Sequence, residues 1–161
     1  MTRGNTMPEF SRRSLDNLIG VHEDLVNLAL RAIAVTEVDF AVIQGLRTQA
    51  QQAEYVAKGA SQTMQSKHLI GHAIDIAAYI GGTISWDWMF YPHIASAFRQ
   101  ASLDLSVPVV WGAVWSHQLA TLTDNLEREV QEYKARKHGK CFIDAGHYEL
   151  RLDPGVGSIT T

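Results

Sequence analysis

His68, Asp75, Asp144 and His147 are the residues of this chain whose types and spacing suit catalysis. The first two lie in Ser66-Lys67-His68-Leu69-Ile70-Gly71-His72-Ala73-Ile74-Asp75, the others in Asp144-Ala145-Gly146-His147. Two imidazoles and a carboxylate suit a catalytic zinc ion, which takes three protein ligands and keeps a fourth position for water. A further carboxylate beside one ligand can take a proton from that water. If the two segments converge in space, the pattern is that of a metal-dependent hydrolase.

Each residue also has a plainer explanation. Asp75 sits between Ile74 and Ile76 in an apolar run, and strand alternation turns it to the face opposite those isoleucines. A buried salt bridge would account for a lone Asp there. A histidine seven residues earlier, behind a glycine turn, favours a ligand. His68 and His72 are four apart, as on a metalloprotease helix, but that arrangement needs Glu directly after the first His, and here Leu69 follows. Gly71 also disfavours a helix. His68 is therefore read as the ligand, and His72 as a neighbour of the site or a surface group. His147 and Glu149 share one side of a strand; either can face a metal, and His is the more usual zinc ligand. Asp144 alone would read as a turn former. Arg47 can hold a substrate carboxylate or an oxyanion, or serve only in a surface salt bridge. Trp86, Trp88, Trp111 and Trp115 can line a cleft, although large aromatics more often fill cores. His22, His93, His117 and His138 show no partner pattern.

The surrounding pattern predicts the elements that carry these groups. Apolar residues from Leu15 to Ile33 recur at helical spacing and predict one or two helices through Ala34. Phe40 to Leu46 reads as a buried strand. Thr48 and Gln51 form a capping box for a helix to Lys58, with Gly59 as its left-handed stop. Ala60 to Lys67 is a loop. Ala73 to Ile80 reads as a central strand closed by Gly81-Gly82. Ser85 or Asp87 caps the next helix, with Pro92 tolerated near its start. Val107 to Trp111 is a further strand candidate, Thr123 to Lys137 a helix ending at His138-Gly139, and Phe142-Ile143 with His147 to Leu152 the last strand material.

A length of 161 residues is that of one domain with a real core. The expected layout is a loose arm over 1–13, a catalytic domain over 14–152 and a frayed tail over 153–161. A composition 46% hydrophobic and 19% charged is that of an ordinary globular chain. The net charge of −3, without any basic run, excludes the usual footprint of nucleic-acid binding. Cys141 is the only cysteine, so no intramolecular disulfide forms; it reads as an apolar filler. Met1 to Arg13 lacks the apolar run of a secretory signal, and no stretch reaches the length of a membrane span. A monomer, made in the cytoplasm and free of the membrane, is expected.

Taken together, Ser66-x-His68-x-x-Gly71-x-Ala73-x-Asp75 and Asp144-x-x-His147 resemble the two motifs of the LAS-type zinc peptidases, the D-Ala-D-Ala carboxypeptidase and VanX-like group. Gln44-Gly45-Leu46-Arg47-Thr48 resembles the arginine segment that precedes both. With Trp111-Gly112-Ala113 and Gly146-His147-Tyr148-Glu149-Leu150, the likeness is greatest to phage endolysins of the L-alanyl-D-glutamate peptidase type, over roughly residues 14–150. The resemblance implies a small α+β domain whose antiparallel sheet carries the zinc site, with helices packed on it. It further implies Zn2+ on His68, Asp75 and His147, Asp144 as general base, Arg47 as transition-state cation and Ser66 as a substrate or neighbouring contact. The implied substrate is the peptidoglycan stem peptide, cut between L-alanine and D-glutamate during host lysis. Two other readings share the metal chemistry or the fold: a D,D-carboxypeptidase or D,D-dipeptidase acting on D-Ala-D-Ala ends, and a non-catalytic zinc-binding partner domain. Val114 stands where many relatives have Asp, and the segment 115–139 lacks the dense carboxylates of relatives with a calcium site. Calcium dependence is therefore not implied.

Overall fold

The helical periodicity between Leu15 and Ala34 resolves into two helices in a computed structural model, which describes residues 8–151. Helix α1 spans Arg12–Asn17 and α2 spans Glu23–Val35. Ser11 caps α1 by accepting from the Ser14 N–H, so helix begins inside the segment expected to be a loose arm. His22 caps α2 through its side chain, and Glu23 and Asp24 place negative charge at the positive end of the helix dipole. The arm before residue 8 and the tail from residue 152 fall outside the described residues.

Strand β1, Phe40–Gln44, is followed by α3, Gln49–Ala57. The Thr48–Gln51 capping box is present with both of its hydrogen bonds, and Gly59 beyond the helix end is left-handed at φ 74°. Strand β2, Ala73–Ile80, turns at Gly81-Gly82 into β3, Thr83–Ser85. The sequence reading did not separate β3 from the helix cap that follows it. Asp87 caps a single 3-10 turn, Trp88–Phe90, which leads into α4, Tyr91–Leu105. Strand β4 is Val109–Trp111, α5 is Leu126–Arg136 and β5 is His147–Leu150. Phe142-Ile143, expected to give strand, forms none. The Trp115 indole donates to the Phe142 carbonyl, and the Asp144 N–H bonds the Gly112 carbonyl, so this backbone is tied as a loop.

All strand pairs are antiparallel, in the order β1-β2-β5-β4, with β3 beside β2. The fold class is thus α+β, as expected. Period-two alternation divides the sheet into two faces. One face presents Val42, Ile74, Ile76, Ala78, Tyr148 and Leu150 to α2 and α4, whose Leu25, Leu28, Ala32, Ile94, Phe98 and Ala101 complete the core. Phe98 stacks on Tyr148 with ring centroids 3.8 Å apart. The other face carries Asp75, His147 and Glu149.

The outer edge of β1 is occupied. The Val42 N–H donates to Ser14 Oγ at 3.1 Å, and Asn17 Nδ2 donates to the Val42 carbonyl at 2.9 Å. Helix α1 therefore serves as a side-chain rail along that strand.

Candidate active site

The central strand β2 and its neighbour β5 bring the two motifs together. Asp75 is the register partner of His147, so both side chains leave the same face of the sheet. His68 arrives from a 3-10 turn, Lys67–Ile70, which Gly71 ends in the left-handed conformation at φ 71°. A side chain at Gly71 would also collide with the Gly20 carbonyl, so the turn can approach the α1–α2 corner only with glycine there. Ser66 caps the turn, its Oγ accepting from the His68 N–H at 3.2 Å. Ser66 lines the cleft, but its defined bond is this structural one. The Arg47 N–H donates to the His68 carbonyl at 3.0 Å and pins the turn to the end of β1.

The ligand atoms of His68, Asp75 and His147 lie within 4.8 Å of one another, and the group can hold a metal ion. Hydrogen bonding supports that fit. His68 Nδ1 lies 2.8 Å from the Gly45 carbonyl, which only accepts, so the proton resides on Nδ1. The buried Nε2 then turns a lone pair toward Asp75 Oδ2 at 3.2 Å and has no hydrogen bond. Two acceptors facing each other in a buried site suit a cation between them.

Asp75 is further engaged by Arg47 Nη2 at 3.2 Å and by His147 Nδ1 at 3.0 Å. Burial works to raise its pKa, but the hydrogen bond to His147 and the closeness of the His68 and His147 rings prevail and hold the carboxyl well below the ordinary range. For His147 burial acts downward, whereas bonds to Asp75 and Glu149 raise its pKa to about 9. Asp144 lies in the loop before β5, outside the ligand group, with its carboxyl in the same cleft. Burial and then the Asp75 charge raise its pKa above the usual carboxylate value, against the influence of His147 and His68. Its loop is set by close packing: a Cβ on Gly112 would strike the Asp144 carbonyl and crowd His147.

Arg47 is 6% exposed and directs its guanidinium inward. Nη1 donates to Gln52 at 2.6 Å, Nη2 to Gln44 at 2.7 Å, and the group lies 4.2 Å from the Tyr55 ring centroid. A cavity of about 580 Å³ is lined by Arg47, Tyr55, His68, Asp75, Asp144 and His147 together with Trp115, Tyr133 and Lys140. Cys141, expected as apolar filler, is half-buried and lines this cavity too.

The four tryptophans divide. Trp111 is in the core, Trp115 packs 5.0 Å from the His147 ring, and Trp86 and Trp88 face outward. His72 stays out of the ligand group, with its ring 5.2 Å from that of His22. Val114 is fully buried in the core. Gln52 and Tyr55 were not singled out from sequence, and Gln44, Gly45 and Lys67 entered only as members of quoted segments, without a role at the site. Their roles depend on contacts between distant segments, and no spacing rule encodes those.

Comparison with known proteins adds a second line of support. The sequence matches the family described as phage L-alanyl-D-glutamate peptidase over residues 7–151. It is 38% identical over 112 residues to an L-alanyl-D-glutamate peptidase of Escherichia phage T5, a match covering 67% of this chain and 82% of that protein. A similar enzyme of Listeria phage A118 is 35% identical over 77 residues, which span 46% of this chain and 27% of that one. The fold superposes on the crystal structure of Serratia marcescens L-Ala D-Glu endopeptidase ChiX with a TM-score of 0.70 and 35% identity, covering 92% and 94% of the two chains.

Proposed function

The chain belongs to the phage L-alanyl-D-glutamate peptidase family, and from that membership we propose a zinc-dependent hydrolysis of the L-alanyl-D-glutamate bond in peptidoglycan stem peptides. The observation that carries the metal reading is the buried, unbonded His68 Nε2 facing the Asp75 carboxylate. Two imidazoles and one carboxylate form a donor set suited to zinc, so His68, Asp75 and His147 would hold the ion. When bound, zinc supplies a Lewis acid for the scissile carbonyl and a water of pKa lowered from about 15.7 towards 7.

The remaining work falls to the protein's own side chains. Asp144 takes the proton of the attacking water and returns it to the departing D-glutamate nitrogen. In the metal-free protein burial raises the Asp144 pKa, the direction that favours a proton acceptor. Arg47 holds Asp75 in place and brings positive charge close to the developing oxyanion. Ser66 fixes the His68 turn. Trp115 forms part of the cavity wall beside His147.

The phage origin of the relatives fits a role in host lysis, with the cell wall as the site of action. No helix among the described residues is long and apolar enough to cross a membrane. Digestion of purified sacculi followed by mass spectrometry of the muropeptides tests the bond. Peptides released with a free D-glutamate amine are expected. Loss of terminal D-alanine alone would instead identify a D,D-carboxypeptidase, and zinc binding without any turnover a partner domain.

A further inference from the structure

His147 presents two ring nitrogens to two different carboxylates. Nδ1 lies 3.0 Å from Asp75 Oδ1, on the side where His68 Nε2 approaches the same carboxylate. Nε2 lies 3.0 Å from Glu149 Oε1, on the other side of the ring. Glu149 is not part of the group that can hold an ion, although it is two residues from His147 on the same strand. Its second oxygen, Oε2, is 3.1 Å from Lys67 Nζ, and that ammonium also donates to the Leu150 carbonyl at 2.6 Å. Lys67 immediately precedes His68, so this chain of contacts ties the two histidine segments together along the cavity wall.

We propose that Glu149, itself held by Lys67, is a positioning residue that fixes the His147 ring with its proton on Nε2 and so leaves Nδ1 free for the metal. The inference rests on His68, Asp75 and His147 being the metal ligands. An ionised carboxylate only accepts hydrogen bonds, so both ring nitrogens carry protons in the absence of an ion, and an ion that displaces the Nδ1 proton beside Asp75 would leave the one facing Glu149 on Nε2. With both oxygens of Glu149 engaged, the carboxylate cannot swing away and the ring orientation is set. His68 receives the opposite assignment by a different means. Its Nδ1 proton goes to the Gly45 backbone carbonyl, leaving Nε2 toward the site. One ligand is therefore oriented by the main chain, which no side-chain substitution removes, and the other by a side chain that can be replaced.

A plain Lys67–Glu149 surface pair would be worth little, since the Lys67 side chain is 37% exposed. The experiment must therefore read the metal and the ring, not stability alone. Zinc affinity would be measured by chelator competition for the wild type, Glu149→Gln, Glu149→Leu and Lys67→Met. The imidazole protons of His147 would be followed in parallel by proton–nitrogen NMR of the zinc-loaded protein. Glu149→Leu is expected to weaken zinc by about 10- to 100-fold and to lose the defined Nε2–H signal. Glu149→Gln, whose amide oxygen still accepts that proton, should stay within a few-fold of wild type, with Lys67→Met between the two. Unchanged affinity in Glu149→Leu, or equal loss in Gln and Leu, would overturn the proposal. Should Glu149→Leu fail to fold, an unaltered affinity and Nε2–H signal in Lys67→Met would remove the role given to Lys67. A wild-type chain that bound no zinc would instead sink the ligand assignment on which the inference stands.

Discussion

His147 has a carboxylate at each ring nitrogen, and in metal-stripped protein that pairing keeps it protonated to about pH 9. Zinc needs one of those nitrogens bare, so loading at pH 7.5 should release about one proton per ion from this residue. Calorimetry in buffers of different ionisation enthalpy would show it, with the release fading as the pH passes 9. The same shift makes a stability statement. Because the His147 pKa is raised from 6.5, its contribution in stripped protein is complete below 6.5 and is lost as the pH rises through about 9. Asp75 is shifted the other way, so its contribution holds above 3.8 and is lost as the pH falls further. Thermal melts of stripped protein should therefore peak between those limits. The roles of the four central groups separate by mutation. Asp144→Ala should keep zinc and lose hydrolysis of sacculi, by the roughly 100- to 10,000-fold typical of a general base. His147→Ala should lose both. Near-normal turnover in Asp144→Ala would mean that another group accepts the proton.

The supporting elements were legible wherever a local rule fixes them. Thr48 and Gln51 announce α3 because a capping box satisfies orphan N–H groups within four residues of chain. Asp75 between two isoleucines announces a strand with one wet face, and both isoleucines are indeed fully buried. The short 3-10 turn at His68 was harder to see, because its stop, Gly71, reads as a helix breaker whatever precedes it. Strand β3 has only three residues and borrows its identity from pairing with β2, while Phe142-Ile143 has strand-like side chains but no free partner. The Asp144 loop depends on a contact with Gly112 that sequence spacing cannot reveal. Gly112→Ala should push that loop away from β4, lowering turnover of sacculi and the melting temperature together. An alanine variant with wild-type kinetics would show that the loop can yield without moving Asp144.

At the scale of the whole molecule, helices α2 and α4 and their core occupy one face of the sheet and leave the other for chemistry. Sequence alternation predicted both faces, and the family likeness pointed to the His68, Asp75 and His147 group that meets on one of them, but Arg47 illustrates what was hidden. Its position was readable, whereas its inward commitment to Gln44, Gln52 and Asp75 appears only once three segments meet. The proposed ligands come from separate parts of the chain and converge only on folding, so if they hold zinc, its removal should destabilise the fold as a unit. With free zinc at about 1,000 times Kd the gain is roughly 4 kcal/mol, and a chelator should lower the melting temperature accordingly. An unchanged melt would show that the ion binds the unfolded chain equally well. The rail formed by α1 has a different kind of consequence. Ser14 and Asn17 occupy both polar groups of Val42 on the outer edge of β1, and Val110 of β4 forms a bridge with Gln118 at the opposite margin. Neither margin is open at these points to template a further strand. Edge-to-edge pairing is thereby hindered at these two points, where a peptide cannot extend the sheet by main-chain bonding either.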